Sequence, residues 1–370
     1  MTARMTIVTL AAELGVAPST VSRAFTRPEL LTAATVDRVR KAAQEAGYVP
    51  NNHARALITG RAGAIGIIVP DIANPFFPPI IRAAQGFADD AGLAVFVADS
   101  DGDPARELRI IEKMAPQVEG LIVASSRLSP QSLRALSLNH ALVLINRDIA
   151  STARVLIDTT MAITAAVDRF AADGHREIAY VGGPGLSWSH RQRQKAVEDA
   201  TAKRGIRATF FQADAGTYDQ AFKICRSVIA SGCTAVIAFD DVIAHGLMSG
   251  FTAHDLRVPG DVSIVGCDDT LAITTHPPLS TIKVDLARIA RAAVLALQES
   301  RADRSVVSSR VEFEASLVLR GTTGPAPASR PPSAGFASRQ PPAGLGEVGL
   351  KMSGPTNPGR VIGPSPDFHR

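Results

Sequence analysis

Residues 15–25 read GVAPSTVSRAF, in which hydroxyl side chains and one arginine lie among apolar residues. The stretch predicts a short helix that begins at Pro18, because the first N–H of a helix has no intrahelical partner and proline lacks that group. Val21, Ala24 and Phe25 recur at helical spacing and form its inward face. The remaining side chains therefore face outward.

The preceding residues, TIVTLAAELG at 6–15, predict a helix against which that face packs. Thr6 suits the cap position, Leu10 and Leu14 belong to one apolar stripe, and Gly15 suits the end of the helix.

Two helices joined by a tight turn form the helix-turn-helix arrangement, whose second helix enters the major groove of DNA. The outward side chains of the second helix suit that groove, since hydroxyls reach phosphates or base edges and an arginine pairs with guanine O6 and N7. They are Ser19, Thr20, Ser22 and Arg23. Eleven residues alone leave open the alternative of a small helical pair that does not bind DNA.

The charge of the chain is uneven. Residues 1–61 carry eight Lys or Arg and four acidic residues, whereas residues 62–320 carry a net charge of −3 and residues 321–370 one of +3. A basic head on a mildly acidic body predicts a polyanionic partner for the head alone, and a solvated surface is the alternative.

The cysteines and the apolar runs restrict the compartment. Cys225, Cys233 and Cys267 have no CxxC spacing, which argues against a disulfide framework or a zinc site and favours a reducing cytoplasm. No charged and apolar leader opens the sequence, and no run approaches the roughly 18 apolar residues of a membrane span. We therefore expect a cytoplasmic protein with no membrane contact.

The rest of the first 61 residues extends the helical head. Thr32 begins a third helix that Gly47 ends, and VPNNHARALITG at 49–60 gives a proline break and barely two helical turns. Residues 1–50 are thus the predicted all-α headpiece, and residues 51–61 a hinge helix or linker.

From residue 62 onward the sequence changes to an α/β pattern. Apolar runs alternate with helical patterns, and the runs are AIGIIVPD, LAVFVAD, GLIVAS, ALVLIN, EIAYVGG, TAVIAFDD and DVSIVGCDD. All-apolar strands that alternate with helices indicate parallel sheets covered on both faces, and there are too many strands for one compact sheet. We therefore predict two doubly wound lobes, lobe 1 at about 62–158 plus 285–320 and lobe 2 at about 159–284. Nine Gly and ten Pro predict a disordered tail at 321–370.

Patterns typical of enzymes and metal sites fail individually. DSDGD at 99–103 alternates like a calcium loop, but Gly102 is misplaced and Ile110 occupies the twelfth position. GGPG lacks the spacing of a nucleotide-binding loop, and His175 and His245 have no partners at metal-binding spacing. No Ser–His–Asp set is identifiable from residue order. We therefore expect no catalytic residue, metal or cofactor.

The motif VxxSTVSRAF, the ending AGYVPN of the third helix and the following ARAL together resemble the LacI/GalR family of bacterial transcription repressors. The resemblance runs from about Thr6 to Arg320. It implies a helix-turn-helix headpiece, a hinge helix and a two-lobed core like that of periplasmic sugar-binding proteins. It also implies a homodimer that binds near-palindromic operator DNA.

The resemblance implies roles for headpiece residues. Those at base-reading positions are Pro18, Ser19 and Arg23, and those at phosphate-facing positions are Thr20 and Ser22. Ala17 stands where the family usually has a serine cap, which weakens the helix start by about 1 kcal/mol, and Thr9 stands where an acid is common.

The hinge segment NNHARAL carries further implied contacts. Leu57 matches a leucine wedged into a central base step from the minor groove, and Arg55 lies beside it. Thr6 and Asn51 complete the expected DNA-binding set. For Leu57, a linker residue or a contact between domains is the alternative.

Six segments follow the family's effector-core signatures in order: INRD 145–148, RVLIDTT 154–160, DGHREIAYVGGPG 173–185, HRQRQKAV 190–197, VIAFDDVIAHG 236–246 and VPGDVSIVGCDDTLA 258–272. The residues to which the resemblance assigns effector contacts are Arg193, Asp240 and Asp268, with Asn74 and Asn146 as helpers and Phe76 as a ring that stacks on a sugar. Ligands of doubly wound lobes bind beyond the carboxyl ends of strands. A surface ion pair is the alternative for Arg193. We expect Asp241 and Asp269 to be helix N-caps, and Asp158 to be either a hinge or a ligand residue.

The sequence thus predicts a repressor whose operator affinity is switched by a sugar or related polyol through closure of the two lobes. Its effector is not transferable from the family, because Ala196, Asp240 and Asn146 replace a common glycine, asparagine and aspartate. Induction and corepression both remain open. A sugar-binding transport component, which the basic head opposes, and an enzyme on an α/β scaffold are the competing classes.

Overall fold

A computed structural model describes residues 5–48, 63–302 and 309–328. The headpiece consists of α1 Ile7–Glu13, α2 Pro18–Thr26 and α3 Ala33–Glu45, with a 3-10 turn at Pro28–Leu30. The predicted hinge at 51–61 lies outside the described residues, and with it Asn51, Arg55 and Leu57.

The headpiece helices begin and end where the sequence predicts. The hydroxyl of Thr6 caps α1 and that of Thr32 caps α3, while Pro18 is the first residue of α2. Gly15 and Gly47 follow the ends of α1 and α3 with φ of +62° and +63°, a left-handed conformation that glycine adopts without steric cost.

The apolar stripes of the three helices meet in one small core. Its buried members are Leu10, Ala11, Val21, Ala24, Val39 and Ala43. Phe25 is half-buried against this core, and its ring centroid lies 6.2 Å from that of Tyr48. The core holds α2 against α1 and fixes which side of α2 faces solvent, as the helix-turn-helix prediction requires.

Lobe 1 contains one parallel sheet. Its strands are β1 Ala64–Val69, β2 Ala94–Asp99, β3 Leu121–Ala124, β4 Leu142–Ile145, β5 Ala153–Asp158 and β11 Arg310–Glu314. Its helices are α4 Phe77–Asp90, α5 Pro104–Met114, α6 Pro130–Asn139 and α11 Leu286–Ala302. The strands lie in the order β11-β5-β4-β3-β1-β2, and every pair is parallel. Ile67 and Ile68 belong to separate cores on its two faces, which explains the all-apolar strand sequences.

Lobe 2 repeats this plan. Its strands are β6 Glu177–Gly182, β7 Arg207–Gln212, β8 Ala235–Ala238, β9 Ser263–Cys267, β10 Ser280–Lys283 and β12 Ser316–Val318. Its helices are α7 Thr160–Ala172, α8 Trp188–Arg204, α9 Tyr218–Ser231 and α10 Asp241–Ala253. The order is β12-β10-β9-β8-β6-β7, with β12 alone antiparallel to its neighbour. The predicted α/β fold with two doubly wound lobes is confirmed.

The chain passes between the lobes three times, after β5, after β10 and after β11. The backbone N–H of Ala315 donates to the carbonyl oxygen of Asp158 at 2.9 Å, so two of these crossings are joined. The expected assignment of residues 315–320 to lobe 1 is wrong, because β12 pairs with β10 at the edge of the lobe 2 sheet.

The ordered chain also extends beyond the boundary expected at residue 321. Thr322 is fully buried; its hydroxyl donates to the carbonyl of Ile264 at 2.7 Å and accepts from the N–H of Ser280 at 2.8 Å. The N–H of Ala326 donates to the carbonyl of Asp173. Residues 321–328 therefore belong to lobe 2 rather than to a disordered tail, since their polar groups are satisfied there. Residues 329–370 lie outside the description.

Within these described ranges, none of the helices has the length and apolarity to cross a bilayer. The same ranges contain no group of three or more His, Cys, Asp or Glu side chains placed to hold a metal ion.

Candidate functional site

The first candidate surface is the outer face of α2. Pro18, Ser19 and Arg23 are exposed, whereas Thr20 and Ser22 are half-buried at the sides of the helix. Ala17 at the N-cap makes no side-chain cap hydrogen bond, as its departure from serine predicts.

Thr6 lies at the N-terminus of α1. Its hydroxyl accepts from the N–H of Thr9, and the hydroxyl of Thr9 accepts in turn from the N–H of Thr6 at 2.8 Å. Thr9, which stands where an acid is common, therefore completes a capping box. Thr6 is exposed as well as structural.

The second candidate site is a cavity of about 700 Å³ between the two lobes. Four strands of each sheet, β1–β4 and β6–β9, end at its walls. This is where open parallel sheets bind ligands, and the volume lies within the roughly 300–1,000 Å³ typical of ligand pockets. All six predicted effector residues line it: Asn74, Phe76, Asn146, Arg193, Asp240 and Asp268.

Arg193 projects from the second turn of α8 and is 5% exposed. Its guanidinium donates to the carbonyl of Phe239 through Nη1 and faces Asp268, with 3.4 Å between Nη2 and Oδ1. It also lies 4.7 Å above the centre of the Phe239 ring. Its Nε is buried without a hydrogen-bond partner in the described structure. The alternative of a surface ion pair is therefore wrong for Arg193.

Asp240 joins the two lobes. One carboxylate oxygen accepts from the N–H of Ile243 at 2.8 Å and so caps α10, and the other accepts from Nδ2 of Asn74, in lobe 1, at 3.1 Å. A ligand that enters between the lobes can compete for the same carboxylate, which ties occupancy of the cavity to the contact between lobes.

Burial dominates the electrostatics at this end of the cavity. Burial raises the pKa of Asp240 and of Asp268, and the positive charge of Arg193 opposes the rise in each. One permanently charged guanidinium thus faces two carboxyl groups, a combination of fixed donors and acceptors suited to neighbouring hydroxyls.

The backbone around the cavity is unusual. Four residues that line the cavity have φ between +48° and +108°, a backbone conformation that residues other than glycine rarely adopt. They are Asp101, Ser125, Asn146 and Asp268. Asn146 is held there because its side-chain Oδ1 accepts from the N–H of Ile157 at 3.2 Å. Such strain concentrates at functional sites. Phe76 is 6% exposed and packs edge-on against Phe77, so only part of its ring is available to a ligand.

Two expectations about neighbouring aspartates are wrong. Asp241 is not a cap; its carboxylate accepts from the hydroxyl of Thr281 at 2.7 Å and from the N–H groups of Thr270 and Leu271, which fixes the loop after β9. Asp269 binds two cations, Arg320 at 2.6 Å and Lys283 at 2.8 Å. Asp158 lies at an interlobe crossing and is not among the cavity-lining residues; its carboxylate accepts from the N–H of Thr160.

Several residues that line the cavity were not expected from the sequence. They are Ser125 and Arg127 after β3, the loop 184–187 after β6 with Ser189 of α8, and the loop 214–217 after β7. The rule that strand ends meet at the cavity could have found Arg127, which lies two residues after the GLIVAS run.

Comparison with known proteins follows the same division of the chain. A model of bacterial regulatory proteins of the lacI family matches residues 6–51, and a periplasmic binding protein-like domain matches residues 167–323. The chain is 29% identical to the HTH-type transcriptional repressor CytR of Escherichia coli, over 86% of this chain and 96% of the relative. It is 26% identical to the HTH-type transcriptional regulator DegA of Bacillus subtilis, over 87% and 99%.

Among solved structures, the chain is similar to a lac repressor dimer bound to operator and the anti-inducer ONPF. The TM-score is 0.78 at 26% identity, over 87% of this chain and 99% of the other. A regulator from Arthrobacter in complex with lactose matches with a TM-score of 0.62 at 25% identity, over 70% and 99%.

Proposed function

The chain belongs to the LacI family of bacterial regulatory proteins, and from this premise we propose that it is a sequence-specific transcriptional repressor switched by a small effector. The observation that carries the proposal is that one chain combines an exposed α2 face with a cavity walled by both lobes. No catalytic step, metal or cofactor is part of the proposal.

The proposed DNA contacts divide by role. The residues proposed to reach base edges are Pro18, Ser19 and Arg23, and those proposed to reach phosphates are Thr6, Thr20 and Ser22. Asn51, Arg55 and Leu57 of the hinge remain proposed minor-groove contacts on sequence grounds. A homodimer would place two α2 helices in successive major grooves, about 34 Å apart, and so require a near-palindromic operator.

The proposed effector is a sugar or related polyol. Arg193, Asp240 and Asp268 would hold its hydroxyls, with Asn74 and Asn146 as further polar contacts and Phe76 beside its ring. Because Asn74 and Asp240 already meet across the lobes, a ligand that engages both would change the closure of the cavity. Closure in each protomer would alter the spacing of the paired headpieces, and so the affinity for DNA. A regulator of transcription acts on the chromosome, so the proposal places the protein in the bacterial cytoplasm.

The test is gel retardation of DNA from upstream of its own reading frame and of genomic fragments, in a salt series. Log affinity should fall linearly with log salt for a headpiece that neutralises several phosphates. Arg23→Ala should remove the preference for the retained fragment over scrambled DNA, a loss of about 1–3 kcal/mol of discrimination. Arg134→Ala, an exposed change on α6, is the control. Failure to retain any fragment above scrambled DNA would overturn the proposal.

A further inference from the structure

The cavity contains a cation that the proposed sugar contacts do not use. Arg127 follows β3, lines the cavity and is largely buried. Its Nη1 is enclosed by the protein and has no hydrogen-bond partner in the described structure. A buried guanidinium N–H without an acceptor is costly, and a ligand that supplies one removes that cost.

The charges around Arg127 are mostly of its own sign. Burial and the positive charges of Arg147 and Arg191 lower the pKa of Arg127, whereas the negative charge of Glu107 raises it. The net effect is a pKa of about 10. The carboxyl of Glu107 is already engaged by the hydroxyl of Ser126 and by the backbone N–H of Arg127, and burial raises the pKa of Glu107. Three arginines therefore lie near a single glutamate, whose carboxyl already accepts two hydrogen bonds.

The opposite balance holds around Arg193, where two carboxyl groups, those of Asp240 and Asp268, face a single guanidinium. Three exposed aspartates also line the cavity, Asp71, Asp101 and Asp214, but none of them is among the charges that shift the pKa of Arg127. The cavity thus has an acidic part suited to hydroxyls and a separate cationic part.

We propose that the effector is an anionic sugar derivative, whose phosphate or carboxylate accepts from Arg127 while its hydroxyls lie against Arg193, Asp240 and Asp268. The proposal rests on the proposed function and narrows its ligand class. A guanidinium binds phosphate and carboxylate oxygens by paired, charge-assisted hydrogen bonds. A neutral sugar could offer Arg127 only hydroxyl oxygens, without the charge assistance that a phosphate or carboxylate supplies.

Matched ligands test the proposal on the full chain. The probes are D-glucose, D-glucose 6-phosphate and D-glucuronate, D-ribose and D-ribose 5-phosphate, and inorganic phosphate alone, all at constant ionic strength. We expect the anionic member of at least one pair to bind about 10- to 100-fold more tightly than its neutral parent, as measured by titration of the unfolding temperature. The phosphate ester and the uronate distinguish the two sources of negative charge. Inorganic phosphate alone should raise the unfolding temperature more than chloride does.

Variants then assign the effect to one side chain. Arg127→Gln should remove the preference for the anion and the response to inorganic phosphate, while Arg127→Lys should retain part of both. Arg134→Gln, an exposed arginine on α6, should change neither. Retention of the full preference in a folded Arg127→Gln protein would overturn the proposal.

Operator retention measured in parallel distinguishes failure of the anionic-effector proposal from failure of the proposed function. A chain that holds its operator but responds equally to neutral and anionic members, or to none of the probes, overturns the anionic effector alone. A chain that holds no operator overturns the proposed function, whatever the ligands do.

Discussion

Arg193 is the residue on which the cavity depends most. Its charge is removed from water, yet it is compensated by Asp268, by the carbonyl of Phe239 and by the face of the Phe239 ring. A charge buried in this way is tolerated only while those partners remain. The same side chain keeps one N–H, at Nε, without an acceptor. Arg193 thus anchors the wall of the cavity and retains one unsatisfied donor.

Asp268→Asn tests this pairing. The substitution keeps the size of the side chain but removes the charge that faces Arg193, so we expect effector affinity to fall about 10- to 100-fold. Operator affinity without effector should stay unchanged, because Asp268 lies in lobe 2 and the proposed DNA contacts lie in the headpiece and hinge. Fluorescence anisotropy of labelled operator measures the operator affinity. Titration of the complex with the tightest-binding sugar probe measures the effector affinity. Asp89→Asn, at the exposed end of α4, is the control; an unchanged half-maximal ligand concentration in Asp268→Asn would contradict the site.

His175 links stability to pH. Its Nε2 lies 3.1 Å from the carbonyl of Gly324, which can only accept, so Nε2 carries the proton and Nδ1 accepts from the hydroxyl of Thr234 at 2.8 Å. Burial lowers the pKa of His175 from 6.5 in the folded state. The unfolded chain therefore binds a proton near pH 6.5 that the folded chain does not, and stability declines as pH falls below 6.5.

We expect the unfolding temperature to fall between pH 7.5 and pH 5.5, and to fall less in His175→Asn than in the unmodified chain. Calorimetry at several pH values measures the slope, which is informative even if the variant is less stable overall. His190, whose pKa burial also lowers, accounts for part of the remaining slope. An identical slope in His175→Asn and in the unmodified chain would exclude the linkage.

At strand ends, the sequence located functional residues only approximately. It placed Asp240 and Asp241 together at the end of β8, but residue type could not decide which one caps α10 and which one fixes the loop after β9. That choice depends on Thr281 and Thr270, which lie about 30 to 40 residues further along the chain. The strand-end position of Arg127 could be read from the sequence, but the acceptor that its Nη1 lacks is visible only in three dimensions.

Among the strands, the buried central ones were predictable, and so was the edge strand β2, whose sequence AVFVAD is almost wholly apolar. The other edge strands were not. β1, β3, β4, β8 and β9 are buried throughout, so their sequences are apolar runs, broken only by Ser263 at the start of β9. β7 and β11 lie at sheet edges, are exposed or half-buried along their length and include Arg with Gln or Glu, which hides them from an apolar-run search. β12 has three residues and pairs antiparallel, so no local pattern marks it.

The packing of α10 against α9 is close enough to require glycine. A Cβ at Gly246 would overlap the carbonyl oxygen of Tyr218 and lie 2.8 Å from Cβ of Ala221. Gly86 on α4 is the opposite case, because it is exposed and a Cβ added there would have nothing within 4 Å. The two glycines therefore predict opposite responses to the same substitution.

Gly246→Ala should destabilise the core by about 1–3 kcal/mol through overpacking against backbone that cannot move aside. Gly86→Ala should stabilise it by up to about 1 kcal/mol, because alanine is the better helix former and meets no obstacle. Urea denaturation followed by circular dichroism measures both midpoints. A shift of the same sign in the two variants would contradict the packing described for α9 and α10.

Over the whole molecule, the two lobes are connected by several segments of the chain, two of which are linked to each other. Three crossings join them, and the bond from Ala315 to Asp158 ties two of the crossings together. The cavity lies between the lobes, and Asn74 and Asp240 meet across it. We therefore expect a ligand in this cavity to change the relative position of the two lobes. We expect the N-terminal segment that matches the lacI family model to respond to that change. Effector binding and operator binding should therefore be coupled through the relative position of the two lobes.

Reciprocal titration tests that claim most directly. The affinity of the full chain for operator is measured with and without saturating effector, and the affinity for effector is measured with and without operator. We expect the operator affinity and the effector affinity to change by the same factor, about 5- to 150-fold, because coupling between two binding sites is reciprocal. An effector that binds in the cavity and leaves operator affinity unchanged would contradict it.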